Sequence, residues 1–165
     1  MPHQLSSLIR AALFVRDLEV STAFYRALGF TSVFYEGELD AASANGVLCT
    51  PPESRVCCRI LRPEGRPNFG MIGLFEISNP SPPALPAAEG PPRLGEVALV
   101  IYARPLAEVV AIAHRYGATW SPEPILFTMP HRQQREVCLR DPDGVLINLV
   151  ERDPAEQDGA APALG

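Results

Sequence analysis

The chain carries 165 residues, with 14 Lys and Arg against 19 Asp and Glu, a formal charge of −5 and a pI near 5.2. That acidic balance excludes the basic footprint of a nucleic-acid binder and the Lys/Arg-rich amphipathic helix of a membrane-surface protein, and no apolar run reaches the length of a membrane span. No basic segment leads into an apolar one near Met1, so the expectation is a cytoplasmic protein with a small-molecule or protein partner, large enough for one core or for two small halves sharing one.

Along the chain, residues 8–15 read as a strand, and Asp17 is placed to cap a helix carrying Leu18, Ser21, Phe24, Tyr25 and Leu28 at helical spacing. Gly29 ends that helix, and strands are predicted over 30–35, 55–61 and 70–77, with an irregular excursion over 36–53. Six prolines among the fifteen residues from Asn79 to Arg93 predict an extended connection without regular structure. The order then repeats: a strand over 96–102, a helix over 105–116 opened by Pro105 and closed by Gly117, and strands near Thr119, over 135–140 and over 145–150. Two strand, helix, three-strand units follow, over 7–79 and 94–152, joined by a linker over 80–93 and followed by a loose tail over 153–165. Neither unit alone covers both its helix stripe and its sheet, so the units are expected to pair with each other or with those of a second chain, and a homodimer is predicted.

The last hairpin is the most informative stretch. Asp141-Pro142-Asp143-Gly144 separates two apolar strands as a turn, and the second strand carries one polar residue, Asn148, on the face opposite Ile147 and Leu149. An amide there either lines a wet cavity or needs partners in a dry one. Cys49, Cys57, Cys58 and Cys138 have no C-x-x-C spacing and read as reduced, small hydrophobes.

The run from Asp17 through Phe24-Tyr25 to Gly29-Phe30, followed by Asp141-Pro-Asp-Gly144 and an apolar strand, resembles the vicinal oxygen chelate superfamily of glyoxalases, bleomycin-resistance proteins and extradiol dioxygenases. The resemblance spans nearly the whole chain. It implies an α+β fold in which two tandem βαβββ units form a concave mixed β-sheet cavity, with metal ligands drawn from the first and last strands of each unit. Those positions correspond here to Arg10, Glu76, Glu96 and Asn148.

A guanidinium has no lone pair for a metal and carries a fixed positive charge, so Arg10 works against a divalent site. The expectation is that no cofactor is used and that Arg10 takes the metal's place, bridging Glu76 and Glu96 while Asn148 supplies an amide. A site of oxygen donors for Mg2+ or Mn2+, with Arg10 swung aside, is the alternative. Functionally this gives a small-molecule enzyme of lyase or isomerase type lacking the usual metal, with Glu76 or Glu96 as base and Arg10, Asn148, Phe14 and His131 contacting the ligand. Competing readings are a protein that sequesters a drug or metabolite, a metal-dependent glyoxalase- or dioxygenase-like enzyme, and an interaction domain with a filled concavity. Arg59 and Cys57 share one strand face and are candidates to line the cavity, with Tyr35, Phe127 and Trp120 as apolar walls. His114 in the second helix and His3 in a frayed terminus receive no role.

Overall fold

The computed structural model describes residues 5–86 and 88–158. His3 and the tail from residue 159 onward lie outside the described residues. The chain divides into two compact units, residues 1–87 and 88–165.

In the first unit the order is β1 (Arg10–Phe14), α1 (Leu18–Ala27), β2 (Ser32–Glu38), α2 (Ala41–Leu48), β3 (Arg55–Arg62) and β4 (Met71–Ser78). The sheet order is β1-β4-β3-β2, with β1 parallel to β4 and the other pairs antiparallel. In the second unit, β5 (Ala98–Tyr102), α3 (Leu106–Arg115), β6 (Ile125–Met129), β7 (Arg132–Arg140) and β8 (Leu146–Val150) repeat the arrangement in the order β5-β8-β7-β6. The chain is therefore α+β, with the predicted duplicated unit in each half.

Both main helices begin and end where the sequence signals said. The four N-terminal amides of a helix lack intrahelical acceptors. In α1 three of them meet side-chain acceptors, and the next amide opens the intrahelical ladder. The Asp17 carboxylate accepts from Glu19 N and Val20 N at 2.9 Å, Asp17 O accepts from Ser21 N, and Glu76 Oε2 accepts from Leu18 N at 2.7 Å. At the other end Gly29, with φ of 104°, donates to Arg26 O while Phe30 N donates to Tyr25 O, closing the helix on a left-handed residue. The same pair of bonds recurs after α3, from Gly117 N to His114 O and Ala118 N to Ala113 O. Phe24 and Tyr25 are fully buried and meet edge to face at 5.2 Å, and each apolar side chain so enclosed contributes about 1.5–3 kcal/mol.

Three differences from the sequence expectations matter. The excursion over 36–53 contains α2. Its N-cap Asp40 accepts from Ser43 N, and the buried Asn45 amide donates to Pro52 O and Ser54 O at 3.0 Å. Thr119 belongs to no strand: the adjacent Trp120 forms only an isolated bridge with Arg140, and the strand lies later, at β6, joined to β7 by the two-residue turn Pro130-His131. The tail is not wholly loose, since residues Pro154–Asp158 form a 3-10 turn tied by an Arg152–Glu156 ion pair.

The linker has no regular structure, as expected, yet its end is fastened. Arg140, 1% exposed, donates from Nε to Gly90 O at 2.9 Å and from Nη2 to Pro91 O at 3.1 Å, and its Nη1 reaches Gly144 O at 2.8 Å. No helix among the described residues is long and apolar enough to cross a membrane.

Candidate functional site

Strand alternation sorts each sheet into a face under the helix and an open face. In the first unit Arg59 marks the helix side: its guanidinium donates to Thr22 Oγ1 of α1 at 2.8 Å and to Glu19 at 2.9 Å, and it also pairs with Glu36. Arg59 and Cys57 do share a face, but it is this covered one, so the expectation that they line a cavity is corrected. Glu76 pairs with Cys57 in the β3–β4 ladder and belongs to the same side. Its carboxylate closes the N-terminus of α1, where the helix dipole favours an anion.

The open face of this unit carries Arg10, Ala12 and Phe14 from β1, opposite Met71, Gly73 and Phe75 of β4. A Cβ placed on Gly73 would sit 3.4 Å from Arg10 Cδ and 3.0 Å from the Phe75 ring. Phe14 is 53% exposed, and its ring lies 5.9 Å from that of Phe75. Leu39 and α2 cover the rest of this face, packing on Val56, Ile77, Cys58, Ile60 and Met71. Among the described residues no carboxylate pairs with Arg10. The structure therefore does not bring Arg10 and Glu76 together; they are on opposite sides of one sheet. Burial pushes the Cys58 thiol up to about 11, although Arg10 pulls it the other way, so Cys58 has no thiolate character near neutral pH.

In the second unit Glu151 accepts from Leu106 N at 3.4 Å, the role Glu76 has in the first. The ladder partners extend the correspondence, because Val15 N donates to Phe75 O and Ala103 N donates to Val150 O. Counting back along each strand, Gly73 matches Asn148 and Arg10 matches Ala98. Glu96 falls before β5, in a turn that Gly95 enters with φ of 90°. Both its oxygens are taken: Arg93 N and Arg140 Nη2 donate to Oε2, each at 2.8 Å, and Arg93 Nε donates to Oε1 at 2.9 Å. The Arg140 guanidinium, with Arg93 behind it, holds the Glu96 carboxyl down at about 2.

Asn148 does face away from the buried Ile147 and Leu149, as expected. Its partner is a residue that sequence reasoning passed over. Asn148 Nδ2 donates to Glu136 Oε2 at 3.0 Å, and Gln134 Nε2 donates to Glu136 Oε1 at 2.5 Å. Asn148 Oδ1 is buried and accepts no bond among the described residues. Cys138 lies directly across from Asn148, its thiol pushed up by burial and then by Glu136. Val100 and Phe127 flank this group on the same face, both exposed. The alternation of Gln134, Glu136 and Cys138 along one strand was the available signal. His131 occupies the β6–β7 turn, exposed.

The four predicted positions do not fit a metal. Arg10 offers no lone pair, Glu76 is spent on a helix end across the sheet from Arg10, Glu96 is saturated by two arginines, and Asn148 bonds through its NH2. Among the described residues no group of three or more His, Cys, Asp or Glu side chains is arranged to hold an ion.

No protein-family model matches the chain, and no curated protein matches it in sequence. Solved structures do match. A glyoxalase family protein from Bacillus cereus aligns with a TM-score of 0.72 at 17% identity, covering 91% of this chain and 96% of that one. This chain has the vicinal oxygen chelate fold. The same fold is shared by the fosfomycin resistance protein FosX from Listeria monocytogenes, solved with Mn(II) and 1S,2S-dihydroxypropylphosphonic acid, at a TM-score of 0.56 and 17% identity over 93% of this chain and 95% of that one. An antibiotic binding protein from a Streptomyces species aligns at 0.52 and 18% identity, over 92% and 99%. Structures of this fold thus include both a metal-loaded protein and an antibiotic binder, so fold alone does not choose between chemistry and capture.

Proposed function

We propose that this protein binds and sequesters an apolar small molecule bearing an anionic or carbonyl oxygen, without a metal. The observation that carries this reading is Arg10: a guanidinium with no carboxylate partner among the described residues, on an open face beside Phe14, Gly73 and Phe75. A cation in that setting gains from an oxygen acceptor, and a planar apolar body fits against the two rings. The expected bases support capture over turnover. Glu76 holds a helix end, and Glu96 is kept ionised by Arg140, which makes it a weak proton acceptor.

Titration calorimetry with aromatic carboxylates, and with the matching amides and uncharged hydrocarbons, tests the reading. Binding is expected for the oxygen-bearing members, and Arg10→Met is expected to weaken it about 10- to 100-fold, the worth of one charged hydrogen bond. Equal affinity of Arg10→Met and wild type would overturn the assignment. The recovered compound is expected unchanged by mass spectrometry.

One observation favours catalysis as the second reading. Glu136 is held on its open face by two neutral amides and, among the described residues, by no arginine, an arrangement that orients a carboxylate as a base. Conversion of the bound compound that Glu136→Gln abolishes would make that the function.

A further inference from the structure

The two outer strands of the sheets that follow the helices are built very differently. In β2 the edge is blunted: its register shifts between Val33 and Tyr35, and Glu36 and Glu38 place charge along it. In β6 nothing blunts the edge. Ile125-Leu126-Phe127-Thr128-Met129 has no charge, no internal proline and an unbroken ladder to β7. Leu126 is 61% and Ile125 63% exposed, although they point to opposite faces. A flat apolar edge with free peptide groups is a template for another strand.

The residues around it say which strand. About Phe127 the flanking residues match or complement each other at three of four positions, with Leu126 against Thr128 the exception. Pro124 mirrors Pro130, Ile125 mirrors Met129, Leu126 mirrors Thr128, and Glu123 mirrors His131, both exposed. We infer that β6 pairs antiparallel with β6 of a second copy about a two-fold axis at Phe127, joining two four-stranded sheets into one of eight. Such a contact is isologous, so each residue meets its mirror: Glu123 of each copy faces His131 of the other at both ends, and no like charges oppose. The prolines stop the pairing at both ends, since neither offers an amide. A heterologous strand would have no reason to match this mirrored pattern.

Sedimentation velocity across a micromolar concentration series tests the pairing. Wild type is expected to be dimeric, and Leu126→Lys to be monomeric with an unchanged circular dichroism spectrum. Glu123→Lys is expected to raise the dimer dissociation constant about tenfold or more, and adding His131→Glu to restore it. Register has its own readout, kept independent of the lysine variant's folding. In a Cys49→Ser background treated with oxidised glutathione, Phe127→Cys sits opposite itself and is expected to cross-link two copies. Leu126→Cys sits opposite Thr128 and is expected not to. A wild-type monomer throughout the series, a Leu126→Lys dimer as stable as wild type, or equal cross-linking of the two cysteine variants would each overturn the inference.

Discussion

In the first unit Arg10 stands across from Met71, and Gly73, lacking a side chain, makes room for the Phe75 ring and the Arg10 stem; in the second, Ala98 takes the place of Arg10 and Asn148 takes the place of Gly73. The parts that make the units alike are on the covered side. Glu76 and Glu151 close matching helix starts, and Gly29 and Gly117 close matching helix ends. The units diverge on the open side, where one keeps Arg10 beside aromatic rings and the other Glu136 among amides. A duplicated fold constrains its core pairwise and frees the face that the core does not use. The ligand-facing positions are therefore not copies of one another, and a four-residue constellation read by analogy across the repeat mixes the two sides.

The largest break in the comparison is expected at Arg140: its counterpart by the same register, Arg62, bonds Arg66 O and Asn68, whereas Arg140 holds the end of the linker and Glu96. Arg140→Met leaves the carbonyls of Gly90, Pro91 and Gly144 without their donor, at about 1 kcal/mol or more for each, and frees Glu96. Urea denaturation should show a loss of about 3 kcal/mol or more, confined to the second unit when followed by exchange of its amides. Next is an exchange of the matched pair. Gly73→Asn would press its Cβ to 3.0 Å from the Phe75 ring and 3.4 Å from Arg10 Cδ. It should cost about 1–3 kcal/mol in thermal unfolding, as over-packing does. A neutral Gly73→Asn would mean that the first open face has room the geometry denies.

The smallest effect is a titration. The folded state holds Glu96 at about 2, below the ordinary 4.5. A carboxyl lowered on folding adds stability that is fully present above its unfolded pKa and is lost as pH falls through the folded one. Wild type should therefore lose stability relative to Glu96→Gln between pH 4.5 and about 2, and the two should run parallel above that window. Parallel curves within it would remove Glu96 from the Arg140 network.

Elements with local chemistry were legible in the sequence. Asp17 and Gly29 frame α1, Gly117 ends α3, and the buried Asp141, whose Oδ1 accepts from Asp143 N and Val145 N, makes the last hairpin nearly unmistakable. Elements without it were not. α2 has Ala41, Ala42 and Ala44 with Asn45-Gly46 inside it, which reads as a turn until the Asn45 amide is seen binding the following loop. β6 lies later than the strand expected near Thr119, between Pro124 and Pro130, which read as loop residues and here bound a strand. The site failed on parity. Met-Ile-Gly-Leu-Phe-Glu-Ile-Ser is apolar on both faces, so nothing in its alternation shows that Glu76 points under the helix, and a one-residue slip exchanges the faces. The face of Asn148 is legible because one polar residue between Ile147 and Leu149 leaves no ambiguity of parity.

The clasp that Arg140 makes on Gly90 and Pro91 separates two boundaries that are usually taken as one. The repeated pattern of strand and helix begins only at β5, but the piece of chain that holds together begins upstream, inside a stretch with no secondary structure. A fragment cut where the repeat starts would strip a buried guanidinium of three of its acceptors, Gly90 O, Pro91 O and the Glu96 carboxylate, whereas one begun at residue 88 keeps them. In this protein the repeated stretch is shorter than the compact unit that contains it.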